Sequence, residues 1–302
     1  MALVDVVVVS YNSRAHLRAC IEPLANLEDV NVIVVDNASI DRSVEAVADL
    51  PVTAIPLEEN RGFAYGCNVG WRAGEAPYVL FLNPDGRLDR EALGRLLGVL
   101  EDHPAAGAAG PRIIGVDGSL AYSLRRFPRL RSTFAQALFL HRLAPRASWA
   151  DELVRDERMY SRPLSPDWIS GACILVRRTA LERLAGWDER FFLYCEDADL
   201  CLRLRKEGFD IRYEPTAACL HEGGASGPRG TLLPVLAASR IAYARKHWGA
   251  AAVMLERVGV GLAALTHLLV GRGGSQTRAG HLRALKAAFA RAAVAGHPAR
   301  LT

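Results

Sequence analysis

Asp85 stands one residue beyond a proline, and Glu196, Asp197 and Asp199 fall within a single helical turn; these carboxylates are the side chains best suited to chemistry in the chain. Asp85 closes the run VLFLNPD, where apolar residues lead straight into Asn83-Pro84-Asp85-Gly86. A strand followed by a turn explains that composition. Read as chemistry, Asp85 projects past a strand end, where a hard divalent cation can bridge it to phosphate oxygens. Asn83 can add a carbonyl oxygen or an amide donor, and Pro84 fixes the backbone between them. His221 precedes a glycine-rich loop and is a reasonable second ligand, with imidazole favouring Mn2+ over Mg2+. Acidic residues at a helix start complement its dipole, and Asp199 has Arg203 one turn on. Glu196 and Asp197 have no such local partner, and a carboxylate there could act as a general base on a hydroxyl.

Asp36 and Asn37 follow a second apolar run, and both favour turns. Beside Tyr11 at the same sheet edge they form a polar crevice with an aromatic wall, suited to a nucleobase. Asn60-Arg61-Gly62 opens a helix, so an arginine and helix-terminal N–H groups could face a diphosphate. No GxxxxGK[ST] loop exists, and the Gly66 to Gly70 spacing is too loose for a dinucleotide fingerprint.

The elements that must carry these residues alternate. Strands are expected over 3–9, 30–35, 52–56 and 79–82, with helices following Ser13 and over 41–50, 62–73 and 89–101. That order predicts a parallel sheet covered on both faces, with ligands beyond the strands' carboxyl ends. Further strands are expected over 106–114, 120–124, 173–176 and 217–221, and a helix over 196–207. Residues 125–166 read as a long Arg- and Pro-rich excursion, a candidate flap. From 231 to about 295 the chain reads helical, with a break at 271–274.

The chain has 302 residues and a net charge of +4 that conceals an asymmetry. Residues after Glu222 sum to +10 and residues 1–222 to −6. A basic tail on an acidic body points to an anionic partner. The tail lacks interleaved aromatics for stacking bases, which argues against nucleic acid. Its apolar segment 258–270, flanked by Arg and Lys, suits the surface of a membrane but is shorter than a spanning segment. The alternative is a helical hairpin packed on the body or on a second subunit of a homodimer. Six cysteines without CxxC spacing read as reduced thiols, and the N-terminus lacks the features of an export signal, so a cytoplasmic location is expected.

Seven segments, VVVVSYN, VVDNAS, ENRGFAYGCNVG, VLFLNPD, WISGACILVRR, GWDERFFLYCEDADLCLRLRKEGF and HEGGAS, occur in this order. Together they resemble glycosyltransferase family 2, and most of all its bacterial rhamnosyltransferase-like members. The resemblance implies a GT-A type α/β fold: a mostly parallel nucleotide-binding sheet flanked by helices, catalytic over 1–227, with a helical basic extension over 228–302. It implies that Asp85 and His221 hold Mg2+ or Mn2+, and that Asn83 stands where many relatives carry the first Asp of a DXD motif. Val9, Tyr11, Asn12, Asp36, Asn37, Arg61, Gly62, Asn83 and Asp85 would receive the nucleotide sugar. Asp197 would be the catalytic base, and Trp168, Ser170, Gly171 and Glu196 would line the junction of donor and acceptor. The implied reaction is inverting transfer of one sugar, rhamnose or another hexose, from a dTDP- or UDP-sugar to a hydroxyl of a saccharide or lipid-linked acceptor. The setting would be cell-envelope synthesis at the inner face of the plasma membrane. Processive synthases carry QxxRW and several spanning helices, and neither is found here. A non-catalytic nucleotide-sugar-binding or scaffold protein is the alternative, opposed by the presence of both Asp85 and Asp197.

Overall fold

The computed structural model describes residues 2–223, 229–270 and 274–290. The expected N-terminal strands form as β1 (Val4–Ser10), β2 (Val30–Asp36), β3 (Val52–Pro56) and β4 (Tyr78–Leu82). The short β5 (Gly86–Leu88) and long β6 (Ala106–Ile114) follow. A separate ribbon pairs β7 (Leu124–Arg125) with β8 (Trp168–Ile169), and β9 (Cys173–Arg177) and β10 (Asp210–His221) return to the main sheet. The order of that sheet is β3-β2-β1-β4-β9-β6-β10-β5. β1 is parallel to β2 and β4, β2 to β3, and β10 to β6.

β9 runs antiparallel to both β4 and β6. Its amino end therefore arrives at the sheet edge where β1, β2, β4 and β10 end. Residues 170–172 thus join the polar crevice, which strands all running one way would not allow.

Every residue of β1 is buried, which is why Val6–Val9 runs continuously β-branched rather than alternating. On one face α1 (Arg14–Ala25) and α3 (Arg90–Asp102) bury Leu17, Ile21, Leu24, Leu93 and Leu96 with Val4, Val6 and Val8. On the other, α2 (Phe63–Ala73), α6 (Arg178–Leu184) and α7 (Glu196–Lys206) bring Cys67, Trp71, Leu181, Leu200 and Leu204 to Val7 and Val9. Asp89 caps α3, accepting from Ala92 N at 2.8 Å. Ser13 caps nothing; its hydroxyl donates to Tyr11 O at 3.2 Å. The helix expected over 41–50 shortens to a 3-10 turn at Ser43–Val47, and the strand expected over 120–124 reduces to β7 and one bridge between Ile114 and Leu120. All six cysteines are free.

The excursion is anchored rather than built as a free flap. It contains α4 (Leu130–Ala137) and the single turn α5 (Leu140–Leu143), and α4 packs on the C-terminal helices. Those are α8 (Arg229–His247), α9 (Ala250–Val270) and α10 (Ser275–Phe289). The chain breaks at Trp248-Gly249, a break the sequence reading passed over. α9 is long and apolar enough to cross a membrane by length and composition, so the expectation of a segment too short to span is corrected. Glu256 and Arg257 interrupt the apolar run in sequence, but Glu256 is buried in an ion pair with Arg240 at 2.9 Å, so the helix continues through it. α9 meets α4 at Gly259, where a side chain would come within 2.8 Å of Thr133 Cγ2. α8 and α10 cross at Gly230 and Gly280, where a Cβ on Gly280 would meet Gly230 O at 2.3 Å. Residues 224–228, with the end of the glycine-rich loop and the 227/228 boundary, lie outside the described residues, as do Arg272, Arg291 and Arg300.

Candidate active site

β4 ends in a turn closed by Gly86 N donating to Asn83 O at 2.8 Å. The turn aims Asp85 across to the end of β10. Asp85 Oδ1 lies 3.2 Å from His221 Nε2, and Oδ2 accepts Gly223 N at 3.1 Å. Asn83 Nδ2 is 3.3 Å from the same His221 nitrogen. Burial works to raise the Asp85 carboxyl, but the hydrogen bond and charge of His221, with backbone N–H groups, outweigh it and hold it below the usual carboxylate range. Two neighbouring ligands of an octahedral cation with bonds of about 2.1 Å stand roughly 3 Å apart. The Asp85–His221 spacing fits such a pair, so these two side chains would hold a divalent cation. Among the described residues no group of three His, Cys, Asp or Glu side chains forms a closed metal cage.

The second cluster lies at the ends of β1 and β2. Tyr11 is about half exposed (46%), and the Oδ1 atom of Asp36 is buried without a hydrogen-bond partner. That orphan acceptor fits an N–H donor from a ligand. Asn37 is differently placed. It is 3% exposed, and its amide holds the 60–62 loop, donating to Asn60 Oδ1 at 2.9 Å and Gly62 O at 3.2 Å while accepting Arg61 N at 3.1 Å. Gly62 has φ 92°, and a Cβ there would sit 2.4 Å from Phe192 O, so glycine is required. Arg61 stacks on Tyr65 at 3.7 Å. Asn12, at φ 52°, accepts Ile40 N at 2.9 Å and thereby shapes the 39–40 loop. The Val9 side chain packs under α2 at Gly66, leaving only its backbone for the crevice.

The third cluster is built by the reversed strand. Asn83 N donates to Ala172 O at 2.9 Å, and Gly171 N donates to Asp197 Oδ2 at 3.1 Å. The loop 171–172 therefore links the Asp85 turn directly to Asp197. The other Asp197 oxygen accepts Ala198 N at 2.8 Å. Burial pushes the Asp197 carboxyl up, against the Gly171 hydrogen bond and the charge of Arg125. A carboxyl so raised is better matched to proton abstraction than an exposed aspartate. Glu196 is buried and raised by burial and by the Asp197 charge, with its Oε2 unpartnered. Ser170 Oγ accepts Ala172 N at 3.3 Å, and Trp168 Nε1 donates to Arg126 O at 2.9 Å.

A sequence profile described as Glycosyl transferase family 2 matches residues 5–185. The chain belongs to glycosyltransferase family 2. A relative from Mycobacterium tuberculosis, N-acetylglucosaminyl-diphospho-decaprenol L-rhamnosyltransferase, is 35% identical over 242 residues, covering 75% of this chain and 78% of the relative. Rhamnosyltransferase WbbL of Escherichia coli is 26% identical over 234 residues, covering 72% and 83%. Among solved structures, the mannosyltransferase PcManGT from Pyrobaculum calidifontis, in complex with GDP-Man and Mn2+, aligns with a TM-score of 0.57 at 18% identity, covering 95% of this chain and 85% of that one. Staphylococcus aureus TarS in complex with UDP gives 0.51 at 17%, covering 94% and 70%. The fold is of GT-A type, as the resemblance implied.

Two features of this glycosyltransferase escaped the sequence reading. Arg125 lies over Trp168 at 5.3 Å, its charge acts on Asp197, and its Nε is buried without a partner. Nothing in an isolated Leu-Arg dipeptide announces that placement. Asn60 braces the loop through Asn37; its signal was the Asn-Arg-Gly run itself. A cavity of about 540 Å3 lies among Tyr122, Arg146, Arg155, Asp156, Glu157 and Arg158, and none of the site residues lines it.

Proposed function

We propose that this glycosyltransferase moves a single sugar, rhamnose from a dTDP-sugar or another hexose from a UDP-sugar, to a hydroxyl of a lipid-linked saccharide in bacterial cell-envelope synthesis. The observation that carries the reading is the link from the Asp85 turn through residues 171–172 to Asp197, which joins the carboxyl raised by burial to the turn that carries Asp85. The two rhamnosyltransferase relatives support the sugar, and the name of the Mycobacterium tuberculosis relative supports a lipid-linked acceptor.

The nucleoside stacks on Tyr11 and donates to the orphan Asp36 oxygen, while Asn37, Asn60 and Gly62 hold Arg61 toward the diphosphate. Asp85 and His221, with Asn83 alongside, would hold Mg2+ or Mn2+, which when bound offsets charge on the leaving diphosphate. Asp197 accepts the acceptor's hydroxyl proton as the new C1–O bond forms and the bond from C1 to the diphosphate oxygen breaks, so configuration inverts. Trp168, Ser170, Gly171 and Glu196 border the place where the two substrates meet.

Product mass across a panel of nucleotide sugars, with a prenyl-diphosphate N-acetylglucosamine acceptor, tests this reading. One added deoxyhexose from dTDP-rhamnose is expected, lost in EDTA and restored by Mn2+ or Mg2+. Product formed equally well in EDTA sinks the metal assignment; no product from any donor supports a non-catalytic binding protein.

Residues 1–227 would carry the transfer site and 228–302 the extension, with the protein peripheral at the cytoplasmic face of the membrane. α9 exposes Met254, Leu255, Val258, Leu265 and Leu269, and its single carboxylate, Glu256, is buried against Arg240. A face that is apolar, free of outward acid and set in a basic tail suits an anionic bilayer. The protein is expected to float with phosphatidylglycerol vesicles, and Leu265→Glu/Leu269→Glu to remain behind; equal flotation removes the membrane role. Loss of a concentration-dependent dimer in that variant would assign the face to a homodimer instead.

A further inference from the structure

α7 starts without a capping side chain, and the two residues before it, Tyr194 and Cys195, hold left-handed φ angles of 71° and 66°. Non-glycine residues there cost free energy and persist only where their surroundings hold them. The surroundings come from α8. Ser239 Oγ donates to Leu193 O at 2.7 Å. Lys246 Nζ lies 2.5 Å from Asp188 Oδ2 and 2.5 Å from Asp199 Oδ1. His247 Nε2 is 2.8 Å from the same Asp199 oxygen. The other Asp199 oxygen accepts Arg203 Nε at 2.7 Å, and Arg203 donates in turn to Leu184 O and Gly186 O. Asp199 is completely buried, so these charged hydrogen bonds act without competition from water.

Asp197 itself is held by the backbone rather than by other side chains. Its hydrogen-bond partners are two backbone N–H groups, those of Gly171 and Ala198. Where its carboxylate sits therefore follows from where the first turn of α7 sits, and Asp199 is the pinned residue of that turn.

We infer that Lys246 and His247 are positioning residues for the base: they fix α7 through Asp199 so that Asp197 meets the acceptor hydroxyl. The inference rests on the proposed role of Asp197. It makes the C-terminal extension part of the catalytic apparatus rather than an appended module. Misplacing a base by about 1 Å costs turnover on the order of 100-fold without weakening donor binding.

The test compares the full-length protein with Lys246→Met, Lys246→Arg and His247→Gln, using dTDP-rhamnose and prenyl-diphosphate N-acetylglucosamine. Lys246→Met is expected to lower kcat at least about tenfold and to leave the donor KM within roughly two-fold, with Lys246→Arg recovering most of the loss. Hydrogen exchange of residues 194–199, read without substrate, is expected to quicken in Lys246→Met and to slow again in Lys246→Arg. Unaltered exchange in that segment overturns the inference, as does a loss carried by KM or one that Lys246→Arg fails to restore. Should Lys246→Met not fold, His247→Gln carries the same readouts, with kcat lowered roughly threefold or more. Asp197→Asn, run in parallel, separates the two readings. Retained turnover there removes the base and this inference together; lost turnover beside an unaltered Lys246→Met removes the inference alone.

Discussion

Asp197→Asn is expected to lower kcat by about 10²- to 10⁴-fold while the nucleotide-sugar Kd stays within roughly two-fold. The substitution is nearly isosteric, and the amide oxygen can still accept Gly171 N, the 3.1 Å contact that seats the side chain. What disappears is the lone pair able to take a proton. Donor binding is expected to persist because Tyr11, Asp36 and Asp85 stand at the ends of strands β1, β2 and β4, away from α7. The pH profile gives an independent check. Burial raises the Asp197 carboxyl, so the base is protonated, and idle, at pH values where an ordinary aspartate is ionised. kcat/KM should therefore fall as pH drops, with its acid limb above the unperturbed value of about 3.9. Steady-state rates with calorimetric donor binding decide the point. Turnover near that of the wild type, or an acid limb at or below the ordinary value, removes Asp197 from the role.

The largest effect on stability is expected at Arg240. Its guanidinium donates to both Glu152 oxygens at 2.9 and 2.8 Å, to Glu256 at 2.9 Å and to Thr133 at 2.8 Å. This one buried cation joins α8, α9, α4 and the excursion. Arg240→Ala leaves two buried carboxylates facing one another, which costs about 3–5 kcal/mol. For a chain of 302 residues that corresponds to a fall in Tm of roughly 5–8 °C. Arg240→Met should do little better, because the carboxylates remain. Adding Glu152→Gln and Glu256→Gln to it should recover much of the loss, since the uncompensated charge is then gone. Thermal and urea unfolding check both statements; a single-variant loss below about 1 kcal/mol would mean that water reaches the network.

The sequence by itself determined the N-terminal strands of the candidate site and the polar residues that end them. Val4–Ser10, Val30–Asp36 and Tyr78–Leu82 are apolar runs bounded by turn formers, and a strand buried on both faces needs no more than that. Asp85, Asp197 and His221 stood out as candidates because they fall just after a strand, in the first turn of a helix and at the end of a strand, within an ordered set of segments. Other features were not legible, for one shared reason. The apolar run Cys173–Arg177 reads the same whichever way it enters the sheet, yet its reversal is what carries Gly171 to Asp197 and Ala172 to Asn83. Asn37 resembles any turn residue until its amide meets a loop more than twenty positions away. Arg240 finds Glu152 across 88 residues and Thr133 across 107, and Lys246 finds Asp188 across 58. Local patterns report which residues want burial or a turn. Strand direction and the pairing of buried charges depend on which distant surfaces pack together, and only the tertiary structure decided those.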